Sequence, residues 1–166
     1  MMQQLNVQRL SREAFADYGS VIEATGVPVD LINAGTTRRH SDLARLDLLA
    51  PGSDPVISIY EASARVFPLR LLKLERHSQA SQVFLPLGPH RFIVVVAPGA
   101  QAPQWDRTVA FLSEPGQGIC LRRGCWHHGL IALSDGSRFA VIEGGDYRND
   151  TVETDAPLEI VLQSPA

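Results

Sequence analysis

Lys73-Leu74-Glu75-Arg76-His77-Ser78-Gln79-Ala80-Ser81-Gln82-Val83-Phe84-Leu85-Pro86-Leu87-Gly88-Pro89-His90-Arg91-Phe92-Ile93-Val94-Val95-Val96-Ala97 is the stretch that decides the fold class. It contains three short runs rich in β-branched and aromatic residues, separated by two breaks with turn chemistry. Runs of this length, bounded by Gly, Pro and Ser, form strands rather than helices. On a strand, alternate residues share a face, so Lys73, Glu75 and His77 point one way, and Leu74 and Arg76 the other. If Ser78 to Ser81 turns the chain, Gln82 opens a partner strand and its amide can stand beside His77. The segment therefore supplies an acid, an imidazole, an amide and a cation to one pocket. The competing reading is an exposed sheet face with solvated charges.

Outward from this stretch the same grammar continues. Thirteen Gly and eleven Pro divide the 166 residues into short segments. Strands are expected near 20–23, 56–61, 67–76, 82–86, 91–97, 108–113, 118–122, 129–134, 137–143 and 158–163. A short helix should begin after Ser11, which suits an N-cap, and stop at Gly19. A further helical turn fits after Pro103. Ser134-Asp135-Gly136-Ser137 carries a hairpin signal. The expectation is a single domain, 1–166, mainly β, folded as a sandwich or barrel with one or two short helices. Val27 to Leu48 is the least regular part, a polar stretch that reads either as a functional loop or as an arm across a dimer.

Composition narrows the function. Apolar residues make up 45% and charged residues 20%, with a net charge of −3, which is ordinary globular usage. The chain has no basic block, so nucleic acid is not an expected partner. Its longest apolar run, Phe92 to Ala97, is too short to span a bilayer, and no signal peptide is evident, so a cytoplasmic protein without a membrane partner is expected. Cys120 and Cys125, five apart, fit neither a disulfide framework nor a CxxC site, and neither has an activating neighbour in sequence.

A second cluster is Gly116-Gln117-Gly118-Ile119-Cys120-Leu121-Arg122-Arg123-Gly124-Cys125-Trp126-His127-His128. His127 and His128 cannot both face one interior without a bulge. The two clusters resemble the paired motifs of the cupin barrels. In the first, His-x-His, three or four residues, Glu and a later Gly is matched by Glu75-x-His77, four residues, Gln82 and Gly88. In the second, Gly, five residues, Pro-x-Gly, two residues and His is matched by Gly116, Arg122-x-Gly124 and His127. Glu, Gln and Arg replace the first His, the Glu and the Pro. The resulting set, Glu75, His77, Gln82 and His127, is a mixed oxygen and nitrogen site suited to a divalent ion such as Ni²⁺ or Zn²⁺.

At finer grain the chain resembles the ureidoglycolate lyase family. The residues that carry the likeness run from about Leu5 to Glu153. They include Ser11-x-x-Ala14-Phe15-x-x-Tyr18-Gly19, Ile32-Asn33-x-Gly35, Leu74-Glu75-Arg76-His77, Gln82-x-Phe84-x-Pro86, Trp126-His127-His128 and Gly144-Gly145. The resemblance implies a homodimeric, cupin-like β-barrel or jelly roll, commonly nickel-dependent, that cleaves (S)-ureidoglycolate to glyoxylate and urea. Such a reaction needs a base at the substrate hydroxyl, a partner for the urea group and a cation for the carboxylate. His77 or His127 suits the base, and Glu75 either orients an imidazole or serves as base itself. Gln82 suits the urea group. Arg39, Arg123 and Lys73 are candidates for the carboxylate, with Arg76 below them because it faces away. Two rivals remain: an amidohydrolase that releases ammonia from the same substrate, and a non-catalytic cupin that binds a small metabolite. These roles require Glu75, His77, Gln82 and His127 to share one cavity, with Leu74 and Arg76 outside it.

Overall fold

The computed structural model describes residues 2–48 and 54–165. Fifteen strands and two single-turn helices make up the described residues. In chain order these are β1 (Met2–Leu5), β2 (Val7–Arg9), α1 (Arg12–Phe15), β3 (Gly19–Ile22), β4 (Asp30–Ile32), β5 (Thr37–Arg39), β6 (Pro55–Ala62), β7 (Leu69–His77), β8 (Gln82–Pro86) and β9 (Phe92–Ala97). A 3-10 turn (Trp105–Arg107) follows. The rest are β10 (Val109–Leu112), β11 (Gly118–Leu121), β12 (Trp126–His127), β13 (Ile131–Ala132), β14 (Ser137–Gly144), α2 (Tyr147–Asp150) and β15 (Thr151–Leu162).

Two sheets face each other in a nearly closed barrel. The larger has the order β1-β15-β7-β12-β9-β10-β2, with β13 also on β9, and the smaller β3-β11-β8-β14-β6. The strand β9 shows why they pack. All six of its residues are buried; Phe92, Val94 and Val96 enter the core between the sheets, while Ile93, Val95 and Ala97 enter a second core on the other side. A strand apolar at every position is covered on both faces, and the period of two sorts its residues between two cores. The core between the sheets joins Phe92, Val94 and Phe111 of the larger sheet to Phe84, Ile119, Phe139 and Val141 of the smaller. The outer core gathers Leu71, Leu74, Trp126 and Ile160 beneath Phe67, Trp105 and Leu133.

Several local expectations are revised. The cap works as read: the Ser11 hydroxyl accepts from the Ala14 N–H at 3.2 Å, and Phe15 is fully buried, but the helix lasts a single turn before the chain bends at Tyr18. Val27 to Leu48 holds a hairpin, β4–β5, turned by Asn33 and Ala34 in the left-handed region at φ 53° and 54°. The strand expected at 129–134 shrinks to Ile131–Ala132, and the one expected at 158–163 already begins at Thr151. Ser134 to Ser137 does turn the chain, with the Ser137 hydroxyl donating to the Ser134 carbonyl at 2.7 Å. It links β13 of the larger sheet to β14 of the smaller, however, so it is a crossover and not a hairpin.

Candidate active site

The polar end of the barrel interior is built on β7. Its alternation sends Leu74 and Arg76 to the outer core, where the Arg76 guanidinium lies 4.7 Å over the Trp126 ring and donates to the Ala100 carbonyl. Glu75 and His77 face the opposite way. β12 pairs with β7 so that His127 stands directly across from Glu75, and it pairs with β9 so that His127 stands across from Val96. Its neighbour Trp126 points to the outer core. The one-residue alternation thus separates an apolar Trp from a polar His at the same place on the sheet.

Hydrogen bonds fix which nitrogen of each imidazole carries its proton. His127 Nδ1 lies 2.9 Å from the Cys125 carbonyl, which can only accept, so Nδ1 donates and Nε2 keeps its lone pair. His77 Nδ1 lies 3.2 Å from the Thr151 hydroxyl, and that hydroxyl donates its proton to the Tyr147 carbonyl at 2.8 Å. His77 therefore also donates from Nδ1. Both Nε2 atoms are buried and have no hydrogen-bond partner among the described residues. One ligating atom from each of Glu75, His77 and His127 lies within 4.8 Å of the others. Three acceptors converge with no donor among them, and imidazoles anchored through Nδ1–H are how metal-binding histidines are held. The donor set fits a divalent ion, two neutral nitrogens and one carboxylate.

Burial holds the His127 pKa down at about 4, so its 3.6 Å approach to Glu75 Oε1 is a contact with a neutral ring and not an ion pair. Burial pushes the Glu75 carboxyl above its ordinary value, with His77 and Lys73 pulling the other way. His128 does not join the pair. Its Nδ1 is 2.8 Å from the Gly129 carbonyl, and burial lowers its pKa too. Burial also raises both thiols, Cys125 to about 12, which leaves them un-ionised and poor nucleophiles.

Gln82 does open a strand whose inner face bears on this end, but that strand belongs to the facing sheet. β7 and β8 are not paired, and the turn between them carries the chain from one wall of the barrel to the other. Gln82 Nε2 donates to Glu143 Oε2 at 2.9 Å. Sequence reading did not single out Glu143. Its signal was the run Phe139-x-Val141-x-Glu143, where an acid follows two core residues on one inward face. Tyr60 meets Phe84 edge-on with ring centroids 6.1 Å apart, and burial, then Glu143 and Glu75, raise its pKa to about 12.

The three expected cations are each paired with a carboxylate outside this cluster. Arg39 reaches Asp30 at 3.1 Å across the β4–β5 hairpin, and Arg123 reaches Asp47 at 3.0 Å. Lys73 is exposed and pairs with Glu153 at 2.6 Å. Lys73 and Glu75 also line a cavity of about 280 Å³ with Arg65, Arg70, Leu72, His128 and Gly129. Arg65, on the segment before β7, was another residue that sequence reading passed over.

The chain is similar to known proteins over nearly its whole length. Residues 2–163 match the family described as ureidoglycolate lyase. A ureidoglycolate lyase of Azotobacter vinelandii is 42% identical over 142 residues, covering 86% of each chain. One from Burkholderia mallei is 41% identical over 149 residues, 89% of this chain and 87% of its own. One from Stutzerimonas stutzeri is 40% identical over 152 residues, 92% and 89% of the two chains. With its two motifs meeting at one end of a nearly closed β-barrel and this likeness running from strand β1 to the end of β15, the chain belongs to the ureidoglycolate lyase family.

Proposed function

We propose that this protein is a lyase that cleaves (S)-ureidoglycolate to glyoxylate and urea. The observation that carries the reading is the buried, acceptor-only group of Glu75, His77 and His127 in a chain of this family. The substrate is a carbinolamide. Its hydroxyl proton leaves as the carbonyl of glyoxylate forms, the C–N bond breaks, and the departing nitrogen takes up a proton to give urea. No water is consumed.

Glu75 Oε and the Nε2 atoms of His77 and His127 would hold a divalent ion, with nickel assigned from the family resemblance. When bound, that ion would supply a positive charge that favours ionisation of the substrate hydroxyl. The chain's own groups do the rest. A carboxylate has two oxygens, and the second oxygen of Glu75, the residue of this group most open to solvent, accepts the hydroxyl proton and returns it to the departing nitrogen. His77 and His127, each held by an Nδ1–H bond, keep their rings in place. Gln82 receives the urea end. Lys73 and Arg65, at the cavity beside Glu75, are the cations placed to take the substrate carboxylate. Arg39 and Arg123, which do not line that cavity, stand behind them for that role. A homodimer and a cytoplasmic location, both expected from the sequence, belong to the same reading; no helix among the described residues is long and apolar enough to cross a membrane.

The test is direct. Purified protein incubated with (S)-ureidoglycolate should release glyoxylate and urea in equal amounts, and removal of divalent ions with chelator should suppress the rate. Ammonia in place of urea would identify an amidohydrolase. Neither product, with or without Ni²⁺, would overturn the enzymatic reading and leave a metabolite-binding barrel.

A further inference from the structure

We infer that Glu143 and Gln82 form the subsite that binds ureido N–H donors, and so select a urea-bearing hydroxy acid over a plain one. The inference rests on the lyase reading above and adds to it the residues that recognise the substrate's urea end. Both side chains are almost wholly buried, at 3% and 4% exposure. The Gln82 amide orientation is set by chemistry, since a carboxylate only accepts and so must face the amide nitrogen. That leaves Glu143 Oε1 and Gln82 Oε1, both fully buried, without a hydrogen-bond partner among the described residues. Glu143 makes no ion pair with a Lys or Arg among the described residues and stands outside the group of mutually close ligating atoms formed by Glu75, His77 and His127.

A buried carboxylate oxygen without a donor is costly, and native structures rarely keep one without a use. The neighbourhood sets the kind of ligand. Glu143 continues the inward face of β14 beyond Phe139 and Val141, so the ligand enters from the polar end of a core that is otherwise apolar. Two adjacent acceptors ask for a compact, neutral group with more than one N–H. A ureido group offers three N–H bonds on two nitrogens. A carboxylate in the same place would leave acceptor facing acceptor, and a single hydroxyl has one O–H and could satisfy only one of the two.

The substitution Glu143→Gln keeps the shape and reverses the polarity. The Gln82 N–H still needs an acceptor, so the new amide turns its oxygen to Gln82 and presents its NH₂ where the ligand's N–H must lie. Urea and glyoxylate, the two products, serve as probes through their inhibition of turnover, and bound Ni²⁺ per chain is measured separately by mass spectrometry. Glu143→Gln should weaken inhibition by urea about tenfold or more and raise KM by a similar factor, as expected for loss of a hydrogen bond to a charged group. Inhibition by glyoxylate should change less than twofold and bound Ni²⁺ should not change. Glu143→Asp, which keeps the charge on a shorter arm, should fall between, and provides the test should the first variant not fold. Unchanged inhibition by urea in the variants would overturn the subsite, and so would loss of bound Ni²⁺, which would assign Glu143 to the ion instead. Urea binding to the wild-type protein, followed by ligand-observed NMR, separates the two readings. Glu143-dependent binding without glyoxylate release would overturn the lyase and keep the subsite.

Discussion

Tyr60 shows how strongly the polar end of the barrel acts on a single side chain. Its hydroxyl titrates near 12 because burial disfavours the phenolate, and because Glu143, Glu75 and Tyr147 add repulsion. An unfolded tyrosine ionises near 10. The folded state thus favours the neutral form, and the associated stability is fully present below pH 10 and is lost as pH rises from 10 through about 12. Chemical denaturation of wild type and Tyr60→Phe at pH 9 and pH 11 should show the balance moving towards the Phe variant at the higher pH. The shift should be about 1 kcal/mol, discounted because 36% of the residue is open to solvent. An unchanged difference between the two pH values would mean that neither burial nor the acids raise the pKa of this ring. His127 is the opposite case: burial suppresses its positive charge, and the Cys125 carbonyl then decides which nitrogen is left for chemistry.

At the scale of elements, the close approach of β3 to β11 puts a glycine where no other residue fits. A Cβ on Gly19 would stand 2.0 Å from the Cys120 carbonyl oxygen, which is backbone and cannot turn aside. Gly19→Ala should therefore destabilise the fold by more than about 2 kcal/mol, visible as a lower denaturant midpoint; a midpoint within error of wild type would show that the two strands can separate at little cost. Much at this scale was legible in the sequence. The strand at 82–86 matches its observed limits and that at 91–97 agrees to within a residue, because short apolar runs bounded by Ser, Gly and Pro permit little else. The alternation of Glu75 and His77 against Leu74 and Arg76 follows from strand geometry alone. What local pattern could not show was sheet membership. Ser78 to Ser81 and Ser134 to Ser137 look like hairpin turns, yet each joins strands in different sheets. β15 was also read short, because Thr151-Val152-Glu153-Thr154-Asp155 is too polar to announce a strand, and its pairing with β7 is what forms it.

At the scale of the whole molecule, Glu75 and His77 lie on β7 and His127 on β12, so an ion held by all three would tie the strands together and couple stability to the site. An ion that binds the native state and not the unfolded chain stabilises by about 2.7 kcal/mol at a hundred times its Kd. Ni²⁺ should raise the thermal midpoint of the chelator-treated protein, and His77→Ala or His127→Ala should abolish the increase. A rise of the same size in both variants would place the ion elsewhere. The sequence by itself determined the strand-rich architecture, the two polar motifs and which neighbours of each motif face away, because those features follow from periods of two and from residue chemistry within a few positions. Only the tertiary structure decided that Gln82 approaches from the opposite wall, that Glu143 joins it, and that Thr151 and Cys125 orient the two imidazoles. Those contacts link residues up to 74 positions apart or depend on the direction of a carbonyl, and neither distance in space nor backbone direction is written in local spacing.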